Sequence, residues 1–437
     1  MKHIRIRALS TLAIFFILTS AQAGSVSGTV TGKTDWLSSE YDIAITKMTA
    51  NISPADGAPG AVIASPSRSN PDYYYHWTRD GALVMETVAK LYQTTKKTTV
   101  KETLYQYVRF SRSNQLTTTL AGLGEPKFHA NGSAFNGPWG RPQNDGPALR
   151  AIALVHFANI LLSEGEETYV RTQLYDTLMP TQSVIKADLE YVAYHWRDAS
   201  FDIWEECKGD HFYTRMVQRK ALIAGAELAK KLGDPGAAAF YLKEAMNLRS
   251  AIEAHWDSNR QIIIPTLNRT DGIDYKSSGL DTAVVLGALH GDAGDGFMSV
   301  SDSRVQSTLQ KLSESFASIY SINRRTGSPG VAMGRYPEDR YSGTNVNLGN
   351  PWVLTTLATA ETYYHLAREW ALAGRKQEAD HAHELADQFV SRVQYHSNGD
   401  GSLSEQMNRE TGYMTSARDL TWNYAAVLTA FWAREGK

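Results

Sequence analysis

The densest chemistry in this chain lies in the stretch "FDIWEECKGD", which begins at Phe201. Glu205 and Glu206 stand side by side behind Trp204, next to Cys207, the only cysteine. Two acidic residues there could simply open the next helix, where negative charge suits the positive end of the helix dipole. The sharper reading is a catalytic acid, because a carboxyl beside an indole, with a second carboxyl as its neighbour, holds its proton to higher pH. Two carboxyls with solvent between them are enough to hydrolyse a glycosidic bond. One gives a proton to the leaving oxygen, and the other, ionised, activates water or attacks directly. Asp80, Glu125, Asp202, Glu338, Asp339 and Glu405 are the other candidates. Spacing does not choose among them; environment favours Glu205 or Glu206 as the acid.

Four further stretches mix aromatic rings with charge in the same way: "NPDYYYHWTRDG", "GLGEPKFHANGSAFNGPWGRPQ", "GVAMGRYPEDRYSGTNVNLGNPW" and "GDGSLSEQMNRETGY". A pyranose ring presents a C–H face that packs on an aromatic plane, and its hydroxyls need donors and acceptors such as Arg and Asp. Any one Trp taken alone reads better as a core residue. Five stretches with the same mixture read as a sugar site, provided the fold brings them together.

The elements that must do so are helices. Helical periodicity and punctuation predict spans at 36–51, 78–95, 98–119, 143–164, 169–197, 211–232, 235–257, 279–290, 303–321, 351–373, 375–394 and 415–434. Asn144 or Asp145 is the expected cap of the fourth, with Pro147 in its first turn. Asp234 and Pro235 open the seventh, and a Ser416-x-x-Asp419 capping box the last. The fourth and last are apolar on nearly all sides; the seventh has one wet face. Strands are expected only in "SVSGTVTG" and "RQIIIPTL". The links "TTKK", "GEE", "GD" and "GRK" are short, whereas the loops carrying the aromatics and charge are long and alternate with them. Short links make antiparallel neighbours, so alternate loops fall at the same end. The pattern predicts a ring of helical hairpins, one all-α domain over 24–437, with all long loops on one face.

Bulk properties exclude several classes. The chain has 437 residues and a net charge of −2, which calls for neither nucleic acid nor an anionic membrane. Lys2, Arg5 and Arg7, the apolar "ALSTLAIFFILTS" and the small-x-small "AQA" at 21–23 predict a secretory leader over 1–23 and an exported protein, periplasmic or extracellular. No later segment reads as a membrane span. Cys207 has no partner for a disulfide and is expected to be a buried small residue. There are no adjacent aspartates for a magnesium cluster, no GxxxxGK[ST] loop and no GxSxG elbow. "HAHE" at His381 places its histidines on different helix faces. "SNGDGS" lacks calcium-loop spacing. The sequons at Asn51, Asn131 and Asn268 matter only in a glycosylating host. No metal or other cofactor is expected.

The blocks "NPDYYYHWTRD", "GEPKF", "WGRPQNDGPALRA", "DIWEE", "GRYPED", "NPW", "SEQ" and "SARDLTW" occur in the order seen in the glucoamylases of glycoside hydrolase family 15. From about residue 60 to the last residue the chain resembles the catalytic domain of the fungal enzymes. The resemblance implies an (α/α)6 barrel, in agreement with the loop argument. It also implies exo-acting, inverting release of β-D-glucose from α-1,4-glucans, with slower attack on α-1,6 links. Glu205 would be the general acid and Glu405 the general base. Glu206 would bind sugar hydroxyls and help keep Glu205 protonated. Arg79 and Asp80 would grip the terminal glucose with Trp77 behind it, and Tyr73 would lie near the developing charge. Arg335 would bind the same or the next sugar. Trp139, Trp204 and Trp352 would line the pocket, joined by Lys127 and Tyr341. The partner implied is an α-glucan or maltooligosaccharide, taken by a monomer. Two departures stand out: "TNVNLG" makes the link between Tyr341 and "NPW" longer than the family pattern, and Cys207 and Lys208 follow "WEE" where the fungal pattern has another pair. A starch-binding module is not expected. The alternatives are a relative preferring α-1,6 links, and a sugar-binding protein without catalysis, for which an acid–base pair would have no use.

Overall fold

Helix composition sorts the elements into two sets. The computed structural model describes residues 35–437, so the expected leader and the strand expected in "SVSGTVTG" lie outside the described residues. The helices are α1 (Trp36–Ala50), α2 (Thr78–Thr95), α3 (Thr98–Leu116), α4 (Asp145–Ser163), the single turn α5 (Glu167–Tyr169), α6 (Val184–His195), α7 (Phe212–Lys231), α8 (Pro235–Glu253), α9 (Ala283–His290), α10 (Ser303–Ile319), α11 (Val353–Leu372), α12 (Lys376–His396) and α13 (Thr421–Arg434). Among the described residues nine short strands sit in the loops: β1 (Tyr75–Trp77), β2 (Lys127–His129), β3 (Ser200–Phe201), β4 (Cys207–His211), β5 (Trp256–Asp257), β6 (Ile262–Ile263), β7 (Thr266–Gly272), β8 (Gln406–Met407) and β9 (Met414–Thr415).

Helices α2, α4, α7, α9, α11 and α13 pack each on the next, and α13 returns to α2, closing an inner ring. Helices α1, α3, α6, α8, α10 and α12 lie outside it. This is the (α/α)6 barrel. Inner helices are covered on nearly all sides and are largely apolar, with threonines that bond back to their own backbone. In α11, Thr355, Thr356, Thr359 and Thr362 are all buried; Thr359 donates to the Thr355 carbonyl at 2.9 Å and Thr362 to that of Ala358 at 2.8 Å. Outer helices bury one stripe: α12 hides Ala379, Ala382, Ala386, Phe389, Val390 and Val393 at three- and four-residue spacing. By length and composition alone α4 could cross a bilayer, contrary to the sequence reading that no segment could. It is instead an enclosed inner helix, packed by α2, α6 and α7.

Inner and outer layers are also tied by charge. The Arg150 guanidinium on α4 donates twice to Asp188 on α6, at 2.7 and 2.6 Å, with both residues buried. Removing one partner strands the other charge without water. Asp188→Ala is expected to cost about 3–5 kcal/mol in a denaturant or thermal melt. Arg150→Met combined with Asp188→Leu is expected to recover most of that loss.

Three local expectations are corrected. The helix over 169–197 is broken. A π turn (Val170–Leu174) ends the first piece, and the Asp176 carboxylate then collects the amides of Leu178 at 2.9 Å and Gln182 at 2.8 Å. That local hydrogen bonding competes with helix, and Pro180 has no N–H to offer. The "GEE" link therefore extends to residue 183. The last helix starts at Thr421, not 415, because Ser416 and Asp419 adopt left-handed backbone (φ 69° and 46°) and their side chains serve elsewhere. "RQIIIPTL" forms β6 and the start of β7, not one strand. Asp234 caps α8 as expected, accepting from the Ala237 amide at 3.2 Å. Asn144 precedes α4 but does not cap it; its side-chain oxygen Oδ1 accepts the Tyr191 hydroxyl at 2.9 Å.

Candidate active site

Five of the six loops that run from an outer helix to the next inner helix build one cavity of about 650 Å³. It receives residues from the loops after α1, α3, α6, α10 and α12. All of the site residues named from the sequence line it: Tyr73, Trp77, Arg79, Asp80, Lys127, Trp139, Trp204, Glu205, Glu206, Arg335, Tyr341, Trp352 and Glu405.

Its first wall is the β1–β2 pair. Trp77 lies opposite Lys127 and Tyr75 opposite His129. Period-two alternation puts Tyr75 and Trp77 on the same face. The Lys127 ammonium consequently sits among four rings: Trp139 at 3.6 Å, Tyr75 at 4.0 Å, Phe135 at 4.4 Å and Trp77 at 4.5 Å from their centroids. Burial pulls that ammonium down to about 8, against the attraction of Glu205. Directly after β1, the first turn of α2 delivers Arg79 and Asp80. Arg79 is anchored from behind by Gln143 (2.9 Å) and Asp145 (3.1 Å). Burial lifts the Asp80 carboxyl to about 6 in spite of Arg79 beside it.

Glu205 sits at a strained corner. Its backbone is left-handed (φ 66°), and the turn is held by Asp202, whose carbonyl accepts the Glu205 amide at 2.9 Å. The Asp202 carboxylate accepts the amides of Glu206 (2.7 Å) and Cys207 (3.0 Å). The result turns adjacent carboxyls to different partners. Glu205 Oε1 accepts from the Trp77 indole (2.8 Å), Gln143 (3.0 Å) and Arg79 (3.3 Å). Glu206 accepts from Arg335 (2.8 Å) and the Tyr336 hydroxyl (2.7 Å), and burial raises its carboxyl above the usual range. Arg335 is fixed by two bonds to Asp339, at 2.8 and 2.6 Å, and lies 5.2–5.5 Å from the rings of Trp204, Tyr341 and Trp352.

Glu405 comes from the far end of the chain, just before β8. It is 1% exposed, and burial pushes its carboxyl up to about 7. Ser416 and Gln406 (3.0 Å) both donate to Oε2 and hold it down against that burial. Ser416 is the residue expected to cap the last helix. Its hydroxyl serves Glu405, while Asp419 accepts from Lys47 on α1. Tyr73 bridges to Tyr341 through their hydroxyls at 2.7 Å, and both Glu405 and Glu205 act on it electrostatically. Gly343, in the longer link, lines the cavity with φ 88°; a Cβ there would fall 2.3 Å from the Ser416 hydroxyl. The indole N–H groups of Trp139 and Trp352 are buried and have no protein partner.

The remaining acidic candidates do other work. Glu125 is held by Arg141 at 2.8 Å, Asp202 organises the Glu205 turn, Glu338 accepts from Ser278, and Asp339 clamps Arg335. Cys207 is buried, and burial lifts its thiol to about 11. Sequence reasoning missed Tyr336, Gln143 and Lys276, the last donating to Asp202 (3.1 Å) and Asp281 (3.2 Å) beneath Trp204. Tyr336 lies inside the quoted "GRYPED"; nothing in "DYKSSG" singles out Lys276.

Comparison with known proteins gives one consistent result. The profile of Glycosyl hydrolases family 15 matches residues 40–432. A glucoamylase of Blastobotrys adeninivorans is 39% identical over 92% of this chain and 72% of its own length. Glucoamylase 1 of Rhizopus oryzae is 38% identical over 92% of this chain and 71% of its own. Among solved structures, the glucoamylase from Saccharomycopsis fibuligera superposes with a TM-score of 0.84 at 33% identity, covering 92% of this chain and 95% of that one.

Proposed function

The chain belongs to glycosyl hydrolases family 15, and on that footing we propose that this glycoside hydrolase removes single glucose units from the non-reducing ends of α-1,4-glucans, attacking α-1,6 links more slowly. The observation that carries the reading is that Glu205 and Glu405, from opposite halves of the barrel, line one cavity together with the Arg79–Asp80 pair and an aromatic wall.

In the reaction, Glu205 donates its proton to the glycosidic oxygen as the C–O bond breaks. Glu405 takes a proton from a water molecule, whose oxygen attacks the anomeric carbon from the opposite face. The product is β-D-glucose. Arg79, Asp80 and Trp77 hold the terminal sugar, Glu206 and Arg335 its hydroxyls or those of the next unit, and Trp139, Trp204, Trp352, Lys127 and Tyr341 the walls. Tyr73 lies beside the positive charge that develops in the ring. None of these steps draws on a cofactor. The enzyme acts as a monomer and is exported by the leader over 1–23.

Proton NMR of the protein with maltooligosaccharides tests the reading. Early β-glucose alone is expected; early α-glucose, internal cleavage or no turnover defeats it, and isomaltose run in parallel ranks the linkages.

The pH dependence follows from Glu405. A base must be ionised, so kcat/KM climbs as pH rises through its pKa, which burial sets at about 7. Ser416 lowers that value by donating to the carboxylate. In Ser416→Ala the acidic limb is therefore expected to move to higher pH. The loss should be largest well below the limb and vanish above it; an unmoved limb refutes the assignment.

A further inference from the structure

The sixth outer-to-inner loop, which joins α8 to α9 over residues 254–282, gives the cavity no lining residue. It places one cation behind the wall instead. Lys276 stands beneath Trp204 with its side chain 12% exposed, and its ammonium donates to Asp202 Oδ2 at 3.1 Å and to Asp281 Oδ2 at 3.2 Å. We propose that Lys276 is a positioning residue for the general acid: one ammonium locks both the turn that carries Glu205 and the indole beside it. The inference rests on the reading of Glu205 as the acid and deepens it.

The two carboxylates divide the work. Asp202 Oδ1 accepts the amides of Glu206 and Cys207, and the Asp202 carbonyl accepts that of Glu205, so three successive amides of the corner end on this one residue. Burial works against its charge, and Lys276 still holds the Asp202 carboxyl below its usual range. Asp281 Oδ1 accepts the Trp204 indole and the Ala283 amide, each at 2.8 Å. Without the ammonium, both carboxylates are left as buried anions lacking this shared partner, and such groups take up a proton or turn away. The corner has little slack for that. Glu205 is left-handed, a backbone that a residue other than glycine keeps only where its surroundings hold it. The loop that carries Lys276 is itself fixed. β7 pairs with β4 just ahead of it, the Ile273 amide donates to the Glu206 carbonyl at 3.0 Å, and the hydroxyls of Ser277 and Ser278 donate to Glu338 at 3.1 and 3.0 Å. The ammonium also lies 4.0 Å from the Tyr336 ring centroid, and the Tyr336 hydroxyl donates to Glu206.

The test separates a displaced acid from a weakened fold. Wild type and Lys276→Met, each checked by thermal melt, are assayed on maltose and on α-D-glucosyl fluoride, whose leaving group needs no proton. In Lys276→Met, kcat on maltose is expected to fall about 10–10²-fold, the scale of a reacting group misplaced by roughly 1 Å, and kcat on the fluoride by less than about threefold. A merely structural lysine lowers both alike. An equal or larger loss on the fluoride, or wild-type turnover of maltose, overturns the proposal. If Lys276→Met is unfolded at the assay temperature, Lys276→Met with Asp281→Asn takes its place and the same split is expected. It leaves one buried charge fewer, and the carboxamide oxygen still accepts the Trp204 indole. Amide hydrogen exchange reads the turn without turnover. The amides of Glu206 and Cys207 should exchange faster in the variant, with that of Thr359 inside α11 at the wild-type rate; unchanged exchange at the turn rejects the proposal. If the wild type cleaves neither substrate, or Glu205→Gln loses equally on both, it is the acid reading that fails. Faster exchange confined to the turn then still upholds the hold of Lys276 on it.

Discussion

Glu205→Gln is expected to lower kcat on maltose by about 10²–10⁴-fold, the usual worth of a general acid. KM should change little, because the carboxamide oxygen still accepts from Trp77, Gln143 and Arg79. The fold should survive as well, since Arg79 keeps Asp145 and Asp80 as partners. A second substrate separates the acid from every other role. Fluoride leaves α-D-glucosyl fluoride without being protonated, so the step that Glu205 assists is absent, and most of the loss should disappear. Steady-state rates on both substrates decide it: an equal deficit on maltose and on the fluoride means that Glu205 is not the acid.

Glu405→Gln is expected to be as severe on maltose, again about 10²–10⁴-fold, but with no relief on the fluoride, because water still has to be deprotonated. The carboxamide can keep its bonds to Ser416 and Gln406, so a change in packing cannot account for the loss. The pH profile adds a signature. In the wild type the rate is expected to rise as this carboxyl ionises, its pKa pushed up to about 7 by burial. A carboxamide has no such proton, and the residual activity should lose its acidic limb. Retention of that limb in Glu405→Gln would assign the base elsewhere.

The alternation of short and long links was legible because glycine, proline and capping residues punctuate locally, and that alternation is enough to infer a ring with one loaded rim. The break after α5 was not legible: Val170–Leu174 continues an apolar pattern, and it is the Asp176 side chain, taking the amides that follow, that ends it. The capping box failed for a related reason. Ser416 and Asp419 have the right types and spacing for a cap, yet one is drawn to Glu405 and the other to Lys47, which is 372 positions away. Adjacency alone also does not reveal that the left-handed turn at Glu205 sends the two neighbouring carboxyls to separate cations, Arg79 and Arg335. Lys276 acts only across tertiary contacts, for which a single sequence carries no mark.

Closure of the inner ring bears on how the protein is made. The ring closes where α13 returns to α2, and the outer helix α1 braces that joint, with Tyr41 and Phe431 4.5 Å apart and Asn51 bonded to Thr421 at 2.9 Å. A ribosome adding about 5–20 residues per second exposes the half that holds Glu205 well before the half that holds Glu405 exists. Until α13 emerges and docks on α2, the ring stays open and the loops that wall the cavity cannot all meet at one rim.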